Sequence, residues 1–101
     1  MAEQTKRRPS GVTRVKLKEP SLYDVIMLND DVTPMDFVVD ILKEIFDKPN
    51  AQAVELMMKV HREGSAKIAR YPYDVAKTKQ RWATERARSQ GYPFRIEVEQ
   101  G

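Results

Sequence analysis

Residues 22–36 leave the chain little choice of path, because an apolar run meets a proline-led helix start with five residues (29–33) between them. Tyr23, Val25, Ile26, Met27 and Leu28 are almost continuously apolar, the pattern of a strand covered on both faces. Thr33 suits a helix N-cap, Pro34 suits the first helical position, and Asp36 stands where a capping box usually has Glu. The backbone must leave a strand, turn and enter a helix over Asn29-Asp30-Asp31-Val32-Thr33. One Asn or Asp is enough for such a turn. Two carboxylates and an amide in succession repel unless a cation comes to sit among them, so the corner also poses the question of what that cation is.

Helical periodicity continues beyond the corner. Met35, Val38, Val39, Leu42, Ile45 and Phe46 recur at steps of three and four, with Asp40, Lys43 and Glu44 on the wet side, which predicts a helix stopping at Asp47-Lys48-Pro49. Asn50 can cap a second helix that turns Ala53, Val54, Met57, Val60 and His61 to one side and ends at Gly64. A short strand over residues 66–71 is followed by a third helix from about Asp74 to Ser89, with Val75, Ala76, Trp82 and Ala83 inward. Gly91 and Pro93 close it. Phe94, Ile96 and Val98 then alternate with Arg95, Glu97 and Glu99, as in a half-exposed strand. The order predicts an α+β fold of two layers, β-α-α-β-α-β, with three helices on one face of a small, mainly antiparallel three-stranded sheet.

With 101 residues and 41% apolar content, the chain can fill one core but not two. There are no cysteines, which excludes disulfides and thiolate metal sites and fits a reducing setting. No apolar stretch approaches the roughly 18 residues of a membrane span, and the N-terminus lacks the apolar centre of a secretory signal, so a soluble, cytoplasmic protein is expected. The formal charge of +3 is uneven: residues 1–20 hold six basic and two acidic side chains, and the remainder is close to neutral at −1. With Pro9, Ser10, Gly11 and Pro20 and no apolar period, residues 1–20 are expected to be a flexible basic extension ahead of a domain over residues 21–101.

His61, the single histidine, falls on the face of the second helix expected to meet the first. Alone it reads as a structural residue. Beside a strand end carrying Asn29 and Asp30 it also completes a set of acceptors suited to an ammonium group. Met35, Val38, Met57 and Val60 would lie between the two helices, either as ordinary core or as walls of a site; methionine adapts readily to varied apolar shapes.

The stretch Tyr23-Asp24-Val25-Ile26-Met27-Leu28-Asn29-Asp30-Asp31-Val32-Thr33-Pro34-Met35-Asp36-Phe37-Val38-Val39 closely resembles the opening segment of the ClpS family, bacterial adaptors of the N-end rule. Ala53-Val54-Glu55-Leu56-Met57-Met58-Lys59-Val60-His61-Arg62-Glu63-Gly64 resembles that family's methionine-rich helix, and Val75-Ala76-Lys77-Thr78-Lys79 its third-helix entry. The likeness runs over roughly residues 21–99 in one register. It implies a non-enzymatic adaptor, without cofactor or metal and expected as a monomer. Such an adaptor binds proteins that begin with Phe, Tyr, Leu or Trp and a free α-amino group, and delivers them to the ClpA unfoldase of the ClpAP protease. By the same resemblance Asn29, Asp30 and His61 bind the α-amino group, with Asp31 and Thr33 at the rim. Met35, Val38, Met57 and Val60 form the walls, Phe94 the base, and Met35 excludes β-branched residues. Asp74 and Lys79 contact the unfoldase, and the basic extension engages it.

The chain departs from the family pattern at several places. Val32 stands where an aromatic residue is common, Ile68-Ala69-Arg70 where a Cys-Gly segment is usual, Pro72 where Thr is common, and Asp74 where Glu is usual. Phe94 replaces the common Leu and would narrow the base, which suggests a divergent copy of the adaptor.

Two other classes compete. The basic extension and the Lys and Arg of the third helix suit a small nucleic-acid-binding domain, but no aromatic platform or reading-helix motif accompanies them. Asp30, Asp31 and His61 could serve as an acid–base or metal site, but no nucleophile has an adjacent base and there is no phosphate loop.

Overall fold

A computed structural model of the chain describes residues 21–101, so the extension expected over residues 1–20 lies outside the described residues. The strand Leu22–Leu28 (β1) is followed by the helices Met35–Glu44 (α1) and Asn50–Glu63 (α2), the strand Ser65–Pro72 (β2), the helix Tyr73–Ser89 (α3) and the strand Arg95–Gln100 (β3). The three strands form one antiparallel sheet in the order β2-β1-β3. Three helices pack on one face of it, the expected α+β architecture.

Each helix is preceded by a proline in extended conformation: Pro34, Pro49 and Pro72 occupy the N-cap positions with ψ of 146°, 154° and 154°. The sequence suggested Thr33 and Asn50 as side-chain caps, and neither acts so. Thr33 spends its hydroxyl on Asp30, and Asn50 is already the first residue of α2. Pro34 therefore stands one place earlier than expected. Its missing N–H costs nothing at a helix start, and its fixed φ sets the entry angle. Asp36 accepts from the N–H of Phe37 at 2.9 Å instead of closing a capping box.

The centre strand supplies the middle of the core. Val25 and Met27 are fully buried beneath Phe37, Val38, Ile41 and Leu42 of α1, Ala53 and Val60 of α2, and the small residues Ala76, Ala83 and Ala87 of α3. Only one face of β1 is covered by helices, contrary to the reading of its apolar run. On the open face Asp24 is buried between two cations of β2, with Lys67 Nζ at 3.3 Å and Arg70 Nε at 3.0 Å. A bulge opposite Val25 and Ile26 leaves Ile68 as an extra residue of β2 and sends it into the core.

Helix α3 turns a narrower face inward than expected. Val75 and Trp82, expected inward, are 40% and 50% exposed, whereas Ala76 and Ala83 are fully buried. Adjacent helical positions differ by about 100°, so only one of each pair can face the sheet, and the alanines permit the closer approach. The polar side chains of α3 close two open edges of the fold. Gln80 Nε2 donates to Ile96 O on the outer edge of β3 at 2.7 Å. Lys79 Nζ donates to Ile45 O at the end of α1 at 2.5 Å, approaches Asp47 Oδ2 at 3.6 Å, and lies over the rings of Tyr71 and Phe46 at 5.4 and 5.9 Å. Asp47 itself takes a left-handed turn (φ 58°) that carries the chain out of α1 toward Pro49.

Candidate functional site

The strand-to-helix corner is held at both ends. Asn29 N–H donates to Gly64 O at 2.9 Å, which ties the end of β1 to the end of α2, where His61 stands one turn upstream. Gly64 can make this junction because its φ is 91°, a conformation open to glycine and costly for other residues. Within the corner, Asp30 Oδ1 accepts from the N–H groups of Val32 at 2.8 Å and Thr33 at 2.7 Å, and Oδ2 accepts from the Thr33 hydroxyl at 2.8 Å. A carboxylate offers about four lone-pair sites, so Oδ2 keeps acceptor capacity after the corner is built.

Burial raises the pKa of Asp30, but the hydrogen bonds from the Thr33 N–H, the Thr33 hydroxyl and the Val32 N–H, together with the charge of Arg88, outweigh it and hold the carboxyl below its ordinary value of 3.8. The group is therefore an anion throughout the neutral range, ready for a cation without having to lose a proton.

This corner, α1, α2 and Phe94, just ahead of β3, enclose a cavity of about 190 Å³. Its mouth is polar, with Asn29, Asp30, Asp31, Thr33 and His61; its walls are Met35, Val38, Met57 and Val60; Phe94 and Leu28 complete the lining. Asn29, Asp31 and His61 are exposed, whereas Val38, Val60 and Phe94 are buried, Phe94 to 1% exposure. Every residue named from the sequence for amine, rim, wall or base lines this one cavity. Leu28 was not foreseen, because an apolar residue at the end of an apolar strand carries no signal apart from strand membership.

An engineered apolar cavity of about 150 Å³ takes a benzene ring, so this space accommodates one large side chain and not a nucleotide or drug-sized ligand. The base is stiff: Phe94 meets Phe37 edge-on at 5.9 Å, and Tyr92 meets the same ring at 4.9 Å. Among the described residues, no three His, Asp or Glu side chains are grouped to hold a metal ion.

Asp74 and Lys79 lie elsewhere, on an open groove of about 320 Å³ along α3 that they share with Val75, Thr78 and Trp82. No lining residue is common to the two sites. Val75 and Trp82 were read from the sequence as core; their exposure makes them the apolar part of this surface. The basic side chains of α3 are largely taken up by the chain itself: Lys79 on Ile45 O, Arg86 on Glu44, and Arg88 on the carbonyls of Tyr92 and Phe94. Lys77 and Arg81 stay exposed, Arg81 beside Glu85 at 3.9 Å.

A family model described as "ATP-dependent Clp protease adaptor protein ClpS" matches residues 18–97. The chain belongs to the ClpS family. It is 46% identical over 85 residues to the ATP-dependent Clp protease adapter protein ClpS of Herminiimonas arsenicoxydans, covering 84% of this chain and 83% of that protein. The ClpS of Nautilia profundicola is 44% identical over 86 residues, covering 85% of this chain and 89% of that protein. Among solved structures, that of Agrobacterium tumefaciens ClpS2 bound to L-phenylalaninamide superposes with a TM-score of 0.79 at 37% identity, covering 82% of this chain and all of that one. Membership makes the chain an adaptor of the Clp protease and not an enzyme. Among the described residues, no helix is long and apolar enough to cross a membrane.

The corner generates a prediction about acid. Because the folded-state pKa of Asp30 is lowered, its ionised form stabilises the fold at pH values above the ordinary 3.8, and that contribution is lost as pH falls through the lowered value. Thr33→Val removes the hydroxyl donor and keeps both N–H donors. The Asp30 pKa, followed by carboxyl-carbon NMR, is expected to rise toward its ordinary value, with less stability left to lose on acidification. A pKa that stays put or falls would show that the hydroxyl does not hold the carboxylate.

Proposed function

We propose that the cavity binds the first residue of another protein, the bulky side chain inside and the free α-amino group at the mouth, and that the chain delivers such N-degron proteins to the ClpA unfoldase of ClpAP. The observation that carries the reading is the junction in one small cavity of an ionised, already hydrogen-bonded carboxylate with apolar walls.

The chemistry follows from the residues. An α-amino group has a pKa near 8 and is mostly a cation at neutral pH, and a chain has only one, at its start. Asp30 Oδ2, the Asn29 side-chain oxygen and a His61 ring nitrogen supply three acceptors for its three protons, the cation that the corner lacks. Asp31 adds negative charge at the exposed rim. Binding reads chain polarity through the amine and residue type through the walls. Burying a Leu or Phe side chain gains about 1.5–3 kcal/mol, while leaving a desolvated charge unpaired costs roughly 2–5 kcal/mol, so both halves are needed. The first side chains that suit these walls are Phe, Tyr, Leu and Trp. Met35, at the mouth, narrows the entry against branching at Cβ. L-phenylalaninamide, the ligand of the Agrobacterium relative, combines a free α-amine with a phenyl side chain, which supports the same chemistry here.

Delivery is assigned to a different surface. Asp74 and Lys79, with the exposed Val75 and Trp82 beside them, form an apolar groove with charged edges on α3, suited to a protein partner and able to act while the cavity is filled. Lys79 also closes the end of α1, so its replacement would disturb stability and docking together. Trp82 is the cleaner probe.

Two outcomes test the reading. Peptides beginning with Phe or Leu are expected to bind with a free amine and to lose at least about 30-fold in affinity on acetylation or with Asp30→Ala, roughly 2 kcal/mol. Trp is expected to bind more weakly than either, because Phe94 fills the base. Equal binding of free and acetylated peptides in a fluorescence titration contradicts first-residue recognition; equal affinities for Leu, Phe and Trp contradict the role given to Phe94. For delivery, Trp82→Ala is expected to leave peptide affinity unchanged and to lower adaptor-dependent degradation by ClpAP several-fold. Undiminished degradation would remove α3 as the docking surface.

A further inference from the structure

The base of the cavity is built on a segment that regular structure does not hold. Helix α3 ends at Ser89, Gly91 reverses the chain with φ 80°, and the N–H of Tyr92 returns to Ala87 O at 2.9 Å. Strand β3 begins only at Arg95, so Phe94 stands ahead of it, and Pro93 has no N–H to offer. One side chain spans this gap. Arg88 Nη1 donates to Tyr92 O at 2.7 Å and to Phe94 O at 2.8 Å, joining the last turn of α3 to the residue at the base of the cavity. The two carbonyls it grips belong to the two rings that meet Phe37 edge-on.

We propose that Arg88 is a positioning residue for recognition of the first side chain: by holding the Tyr92 and Phe94 carbonyls it fixes the Phe94 ring as the base of the cavity and so sets the largest first side chain that the cavity accepts. The inference rests on the reading of the cavity as a first-residue site. Arg88 lines neither the cavity nor the α3 groove and acts through Phe94. A guanidinium suits the task, since it presents several donors in a rigid plane and stays charged, whereas a lysine would grip the pair less rigidly. Its charge also reaches Asp30 and favours the anion there, so base and mouth are linked through the same group. Freed from Arg88, the segment carrying Phe94 can recede, and larger side chains gain on smaller ones.

The measurement is a ratio, because loss of folded protein lowers every affinity by the same factor and leaves ratios alone. Full-length wild type, Arg88→Ala, Arg88→Lys and Arg86→Ala are titrated with labelled peptides beginning with Leu, Phe and Trp, free and acetylated. Arg86, in the same last turn, pairs with Glu44 and does not touch the base. In Arg88→Ala the affinity for Trp relative to Leu is expected to rise by about threefold or more. Arg88→Lys should fall between it and wild type, and Arg86→Ala should match wild type. A ratio in Arg88→Ala that stays within about twofold of wild type, or that falls, overturns the inference whatever the absolute affinities do. Should Arg88→Ala fail to fold, Arg88→Gln carries the same ratio test. If the wild type does not distinguish free from acetylated peptides, the first-residue reading itself fails, and this inference with it.

Discussion

The carboxylate of Asp30 is used twice. Oδ1, bonded to two backbone N–H groups, bends β1 into α1; Oδ2, bonded to one hydroxyl, remains open to a further donor. The corner places Met35 at the head of α1, brings Asn29 to the end of α2 through Gly64, and so sets polar acceptors beside apolar walls. The fold itself organises the anion. A preorganised acceptor of this kind avoids most of the ordering cost that a mobile side chain would bring to binding.

Much of this was legible in the residues. The strand–turn–helix junction, the order of elements and the gathering of Asn29, Asp30, His61, Met35, Val38, Met57 and Val60 follow from local patterns that agree with one another, whereas Phe94 was placed at the base only through the family resemblance. The failures share a physical origin in competition that sequence alone does not rank. Thr33 could cap a helix or bind Asp30, and the nearby carboxylate won. Val75-Ala76 and Trp82-Ala83 could each face inward, and the need of α3 to sit close to the sheet chose the alanines over the larger residues. Asp24 carried no signal of its own and is a buried carboxylate between Lys67 and Arg70, which are distant in sequence. Leu28 and Arg88 gave no signal, since one looks like strand and the other like solvated helix surface.

The polar and basic side chains of α3 serve the fold as well as its surface. A sequence pI of about 9.3 invites a nucleic-acid reading, although the excess of basic side chains lies in residues 1–20. Yet Lys79, Gln80 and Arg88 donate to backbone carbonyls that would otherwise end α1, border β3 or hang unpaired before it. These side chains close the domain at its open edges, while the groove around Trp82 stays open along α3. The recognition proposed for the cavity and the docking proposed for the groove would therefore share a scaffold without sharing residues.

A crystal structure of this chain with L-phenylalaninamide tests the central claim most directly. The amine nitrogen is expected within about 2.7–3.2 Å of Asp30 Oδ2, with the Asn29 and His61 side chains as its other partners and the phenyl ring between Met35 and Met57, facing Phe94. A ligand bound outside the cavity, or bound with its ring in solvent and its amine away from Asp30, would contradict the claim.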